Sequence, residues 1–193
     1  MILKFCKVKN ECGLLSSSLL NALKLINGAT SFIETGTYQG DTVNSLVSLF
    51  DKLYSIELSD SLYEKAKKKN LDIPSITILH GDSAVRLAES IELSKGTFQI
   101  FWLDAHYSGE GTARGLSNTP VLKEIETICM AGNSQSIVLI DDIRMFKDKF
   151  ANGFRKHEAV SGYPRLEKVF DLLNNFGIGF DCYVYGDILV ALP

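Results

Sequence analysis

The stretch FIETGTYQGDT, Phe32 to Thr42, decides how this chain is read. Two apolar residues run into a carboxylate, Glu34, and then into Gly36, Gly40 and small polar residues. A strand that enters a glycine turn and opens a helix is a common pyrophosphate cradle, with backbone N–H groups aimed at anionic oxygens. That cradle needs G-x-G-x-x-G. Here the order is Glu34-Thr35-Gly36-Thr37-Tyr38-Gln39-Gly40, so the dinucleotide spacing is absent and Glu34 would repel phosphate. A carboxylate beside close-packed backbone suits a ligand that carries positive charge and no phosphate.

Strands and helices alternate outward from this motif. Before it, Leu14 to Ile26 has apolar residues at helical spacing and a stop at Asn27-Gly28. After it, DTVNSLVSLF predicts a helix with Val43, Leu46, Val47 and Phe50 on one face. KLYSIEL is a second strand, SDSLYEKAKKKN a helix with a solvated lysine-rich side, ITILHGD a third strand and SAVRLAESIEL a helix. FQIFWLDA is a fourth strand, apolar enough to be buried on both faces. The glycine-rich HYSGEGTARGLSN that follows is long for a connection and reads as a lid. TPVLKEIETICMA is a helix with Thr119 as cap and Pro120 at its first position, and SIVLIDD is a fifth strand. Ile143 to Gly162 reads as irregular or short helix, mixing Arg144, Lys147, Lys149, Arg155 and Lys156 with Phe146, Phe150 and Phe154. PRLEKVFDLLNNFG is the last helix. FDCYVYGDILVALP then gives two strands around the tight turn Gly186-Asp187.

This alternation predicts an α/β fold with a parallel sheet and helices on both faces. The closing hairpin can join that sheet only by inserting one antiparallel strand. A length of 193 residues favours one domain, with 1–30 as an N-terminal extension and helix and 31–193 as the core. A net charge of −3 argues against nucleic acid or an anionic membrane as partner. No apolar run approaches the roughly 20 residues that span a bilayer. The start MILKFCKVKNECG lacks the apolar stretch of a signal peptide, so the expected compartment is the cytoplasm. Cys6, Cys12, Cys129 and Cys182 form no C-x-x-C pair, which argues against zinc and for buried thiols.

In open α/β sheets, ligands sit beyond the carboxyl ends of the strands. The second strand ends in Glu57, which can accept both hydroxyls of a ribose, and the third ends in Gly81-Asp82-Ser83. S-adenosylmethionine, with its ammonium, sulfonium and ribose, matches this row of acids. On Glu34, Gly36 and Gly40 the chain resembles the class I S-adenosylmethionine-dependent methyltransferases, whose first motif is loosely E-x-G-x-x-x-G. Their commoner form has a further glycine where this chain has Tyr38. The resemblance implies a Rossmann-like methyltransferase fold, a mostly parallel seven-stranded sheet with a C-terminal antiparallel hairpin. It further implies that the loop of Glu34, Thr35, Gly36, Thr37, Tyr38, Gly40 and Thr42 wraps the methionine part of the cofactor. Glu57 would then hold the ribose and Asp82 and Ser83 the adenine, with Asp104 also at the cofactor.

The fourth strand ends in WLDAHYSG and the fifth in LIDDIRMF, which brings Asp104, Asp141 and Asp142 to one cleft. Three facing carboxylates repel unless protonated, hydrogen-bonded or bridged by a cation, and oxygen-only ligands suit Mg²⁺. Successive strand residues point to opposite faces, so Asp141 and Asp142 need a bend to converge. The arrangement is similar to the metal-dependent O-methyltransferases of the catechol and macrocin types. That likeness implies a metal on Asp104, Asp141 and Asp142 that binds a substrate hydroxyl and lowers its pKa. The catechol type has a lysine base shortly after its first Asp; the corresponding stretch here, Ala105-His106-Tyr107-Ser108, has no lysine, so His106 is the expected general base, with Asp104 beside it.

The leading expectation is O-methylation of a small hydroxylated metabolite such as a sugar. Two alternatives stand beside it. One is an N- or protein-methyltransferase without metal. The other is a non-catalytic interaction module that uses Arg144 to Lys156 as its surface. Trp102 and Tyr107 read as packing, and Arg114 as a solvated loop residue. Little chain lies outside the core, so the pocket would be shaped by the loops after Asp104 and Asp142, with a homodimer partner as a further source of walls.

Overall fold

The structure is a computed structural model that describes residues 4–6, 15–106, 119–132, 135–146, 162–175 and 179–193. Most of the glycine-rich loop, with Tyr107 and Arg114, lies outside the described residues, as do Cys12 and the basic-aromatic stretch from Lys147 onward.

Among the described residues, eight strands form one sheet. They are β1 (Lys4–Cys6), β2 (Ser31–Thr35), β3 (Lys52–Glu57), β4 (Ile76–His80), β5 (Gln99–Leu103), β6 (Ile137–Ile140), β7 (Asp181–Tyr185) and β8 (Ile188–Leu192). Their spatial order is β1-β7-β8-β6-β5-β2-β3-β4. Every neighbouring pair is parallel except those made by β8, which runs antiparallel between β6 and β7. The hairpin therefore joins by inserting one reversed strand, as its sequence position requires. The seven strands from β2 to β8 make the expected mostly parallel sheet with an antiparallel strand from the C-terminal hairpin, and β1 adds a short parallel strand beside β7.

Alternation along the strands divides the core between the two faces. Ile33, Phe101 and Val138 join one apolar cluster, while their neighbours Phe32, Ile100 and Leu139 join the other. The first cluster packs under α4 (Ser83–Leu93), α5 (Val121–Met130) and α6 (Leu166–Asn175). The second packs under α1 (Ser17–Asn27) and α2 (Asp41–Ser45). Next to α2 lies α3 (Asp60–Lys69), tied to it by an Asn44–Asn70 hydrogen bond and a Lys69–Asp41 ion pair. Trp102 is in the core, and Cys129 and Cys182 are buried free thiols that burial pushes up to about 11.

Several element boundaries differ from the sequence expectation, among them the start of α1 at Ser17 rather than Leu14, where the Ser16 hydroxyl accepts the Leu19 N–H as a cap. The helix after the glycine turn stops at Ser45 and continues to Leu49 as turns, which leaves Val47 exposed while Val43, Leu46 and Phe50 are buried. Its interior is rich in β-branched and polar residues, and packing rather than propensity holds it. At α5 the helix begins at Val121, one residue late. Thr119 Oγ1 still accepts the Val121 N–H at 3.3 Å.

Candidate active site

The carboxyl ends of β2 to β6 form one edge, and the turn between β7 and β8 reaches the same edge because β8 runs backwards. Here the Gly36 turn closes against its neighbours. The N–H groups of Gly36 and Thr37 both donate to Ile56 O at 3.0 and 3.2 Å. A Cβ on Gly36 would lie 2.6 Å from the Asp104 carbonyl oxygen, so only glycine lets this turn meet the end of β5. Tyr38 adopts the left-handed region at φ 51°, a conformation that glycine takes without steric cost and tyrosine does not. Its N–H donates to Glu57 Oε2, and the Ser59 N–H donates to Glu57 Oε1, both at 2.8 Å. Glu57 thus pins the loop to the end of β3, and each of its oxygens keeps a second lone pair.

Glu34 lies beneath this turn and is only 1% exposed. Ser55 Oγ donates to its Oε2 at 2.6 Å and meets Thr37 Oγ1 at 2.6 Å. Burial pushes Glu34 up to about 8, against the hydrogen bonds of Ser55 and Thr42 and with the help of Asp104 and Glu57. Asp82 caps α4 by accepting the Ala84 N–H at 2.9 Å. The hydroxyls of Ser83 and Thr35 stand near Glu124, a residue the sequence reading missed, and favour its charged form. Glu124 stands in the first turn of α5, is 1% exposed, and has an Oε1 without a hydrogen-bond partner. Burial pushes it up to about 7, with Asp82 and Asp104 adding to the rise. Its only sequence signal is an acid near a helix N-terminus, which the helix dipole alone accounts for.

Asp142 supplies the bend that convergence requires. It is left-handed at φ 55° and ψ 42°, immediately after Asp141. His106 bridges the two strand ends: Nδ1 is 3.0 Å from Asp104 Oδ1 and Nε2 is 2.9 Å from Asp142 Oδ2. Burial would lower this imidazole, yet the hydrogen bonds and charges of Asp104 and Asp142 outweigh it and hold it at about 10. The two carboxylates thus favour the charged imidazolium over the neutral ring. For Asp142, burial is opposed by His106 and Arg144, which together keep its carboxyl below the ordinary value. Asp104 is raised, mainly by burial.

Asp187, in the β7–β8 turn, is the second residue the sequence reading missed, since a Gly-Asp pair there is explained by the turn. Its carbonyl accepts the Ile143 N–H and its Oδ1 accepts the Arg144 N–H, each at 3.0 Å. The Arg144 guanidinium stands against Asp187 and is 2.5 Å from Asp142 Oδ1. Asp141, Asp142 and Asp187 each offer one oxygen, and these lie within 4.8 Å of one another. Burial, Asp104 and Asp142 push Asp141 up to about 7, and its Oδ1 is buried without a hydrogen-bond partner. These are hard oxygen donors of the type a Mg²⁺-like ion takes, with the Arg144 guanidinium against two of the three residues. Asp104 is outside this trio and faces His106.

A groove of 370 Å³ lined by Asn27, Gln135, Asp181 and Leu192 lies at the opposite edge of the sheet, away from these carboxylates. Among the described residues, no helix is long and apolar enough to cross a membrane.

No family model and no curated protein sequence matches the chain. Solved structures do. A protein of Staphylococcus aureus provisionally assigned as a caffeoyl-CoA O-methyltransferase aligns at 16% identity and TM-score 0.63, over 95% of this chain and 86% of that one. A provisionally assigned O-methyltransferase of Klebsiella pneumoniae aligns at 13% identity and TM-score 0.56, over 92% and 80%. Human N-acetylserotonin methyltransferase, solved with S-adenosylmethionine, aligns at 14% identity and TM-score 0.56, over 89% of this chain and 49% of the human one. The fold is that of the class I S-adenosylmethionine-dependent methyltransferases.

Proposed function

We propose that this protein is an S-adenosylmethionine-dependent methyltransferase that acts on a hydroxyl of a small polyhydroxylated metabolite such as a sugar. The observation that carries the reading is the convergence of acids from β2, β3, β4 and β5 on one edge of this fold. Such an edge favours a cation that bears hydroxyls over a pyrophosphate. Glu57 holds the ribose, Asp82 and Ser83 receive the adenine, and the loop from Glu34 to Thr42 surrounds the methionine end, with Asp104 beside it.

The reaction is an in-line displacement in which the acceptor oxygen bonds to the methyl carbon and the sulfur leaves as a thioether. One proton must be taken from the acceptor. His106 sits at the meeting point of both halves of the cleft, but its charged ring must first lose a proton. Asp142 controls this. Turned to Nε2, it keeps the imidazole charged; once the Nε2 proton has passed to solvent and the carboxylate has turned away, the neutral nitrogen can take the acceptor's proton. Asp141, Asp142 and Asp187 would hold a divalent ion, which supplies acidification of the acceptor hydroxyl when bound.

Calorimetry with S-adenosylmethionine, S-adenosylhomocysteine and NAD, with and without Mg²⁺, tests the reading. Micromolar binding of the two sulfur ligands and none of NAD is expected. Tight binding of NAD alone would remove the assignment. Catalysis unaffected by chelation would favour an amine acceptor, which needs no Lewis acid.

A further inference from the structure

We infer that Glu124 is the buried counter-charge by which this cleft distinguishes a cationic sulfonium cofactor from its neutral thioether product. The inference rests on the methyl-transfer reading above and names a residue that reading does not use. Position comes first. Glu124 meets the hydroxyls of Thr35, the last residue of β2, and Ser83, the first residue of α4. Thr35 Oγ1 in turn accepts the Asp104 N–H at 3.2 Å. Glu124 therefore lies under the point where the ends of β2, β5 and the start of α4 meet, which is the floor of the proposed cofactor cleft.

Charge comes second. Among the described residues, the groups that act on Glu124 most strongly are two hydroxyls and two further acids, Asp82 and Asp104, and no cation stands among them. Its Oε1 is buried and unpartnered. An uncompensated buried carboxylate is costly, and the N-terminus of α5 offsets only part of that cost. A positive ligand over the floor would offset the rest. The substrate and product forms of the cofactor differ at sulfur by one positive charge and a methyl group. A nearby carboxylate screened by protein rather than water acts strongly on that difference. A carboxylate that only anchors two hydroxyls would act equally on both forms.

The test uses the full chain at about pH 8, with S-adenosylmethionine and S-adenosylhomocysteine titrated into wild type and Glu124→Gln. The glutamine keeps the shape and an acceptor for both hydroxyls but lacks the charge. A loss of about tenfold for the sulfonium form, with the thioether form within about twofold, is expected. Glu124→Asp, which keeps the charge, should retain the wild-type preference. Glu124→Met is a second neutral variant if Glu124→Gln does not fold, as judged by thermal unfolding. Equal losses for both ligands, or no loss for either, would overturn the inference and leave the methyltransferase reading standing. Failure of wild type to bind either ligand would overturn that reading and this inference with it.

Discussion

At the residue scale, Tyr38 bears the local strain of the glycine turn after β2. It is left-handed at φ 51° and half exposed, so its ring contributes little burial to set against the strain. Tyr38→Gly should relieve roughly 1–2 kcal/mol of strain, less roughly 0.5–1 kcal/mol of extra unfolded-state entropy. A net gain of about 0.5 kcal/mol in urea unfolding is the expected result, and a loss above about 1 kcal/mol would mean the tyrosine packs favourably. The places of Glu34, Gly36 and Gly40 in the fold were readable because they are set by covalent neighbours in one strand–turn–helix unit. Glu124 was not, since its surroundings come from β2 and α4, far off in the chain. Asp104, Asp141 and Asp142 were readable as strand ends. The bridge that His106 makes between two of them was not, because spacing cannot say which way an imidazole turns.

At the element scale, the β7–β8 turn does more than reverse the chain. Through Asp187 it holds the first turn after β6 in place, by one backbone carbonyl, one carboxylate oxygen and the Arg144 ion pair. Asp187 is 4% exposed, so losing its charge leaves Arg144 poorly compensated. Asp187→Asn should cost about 3 kcal/mol in urea unfolding, and Arg144→Met combined with it should cost less than the two single changes added together. Strict additivity would show that the two side chains do not interact. The hairpin itself was legible from Gly186-Asp187 between apolar runs. Its arrival beside Asp141 was not, because that follows from which strands β8 pairs with. β1 was equally hidden: three residues carry no periodicity.

At the scale of the whole molecule, the buried acids and His106 set the pH response of the ligand-free protein. Burial holds Glu34 at about 8 against an ordinary 4.5, so over that window the folded state keeps a proton the unfolded chain has lost. Stability therefore falls as pH rises through it. Glu124 and Asp141 act the same way up to about 7. The folded pKa of His106, about 10 against 6.5, gives a contribution that is whole below 6.5 and lost as pH rises through 10. Asp142 is held below 3.8, and its contribution disappears only as pH falls past that value. The ligand-free protein should be most stable near about pH 5, with a melting temperature about 5 °C or more lower at about pH 9. A melting temperature that climbs over that range would contradict the burial of these groups.

The reversed strand has one more consequence, in the order of synthesis. β6 has the apolar sequence Ile137-Val138-Leu139-Ile140, and its second hydrogen-bonding edge is covered only by β8. On the ribosome, every other strand emerges before that cover exists. A nascent chain paused ahead of Ile188 would hold an open, greasy ribbon edge in its middle, the kind of surface that draws chaperones or neighbouring nascent chains until the last strand slots in.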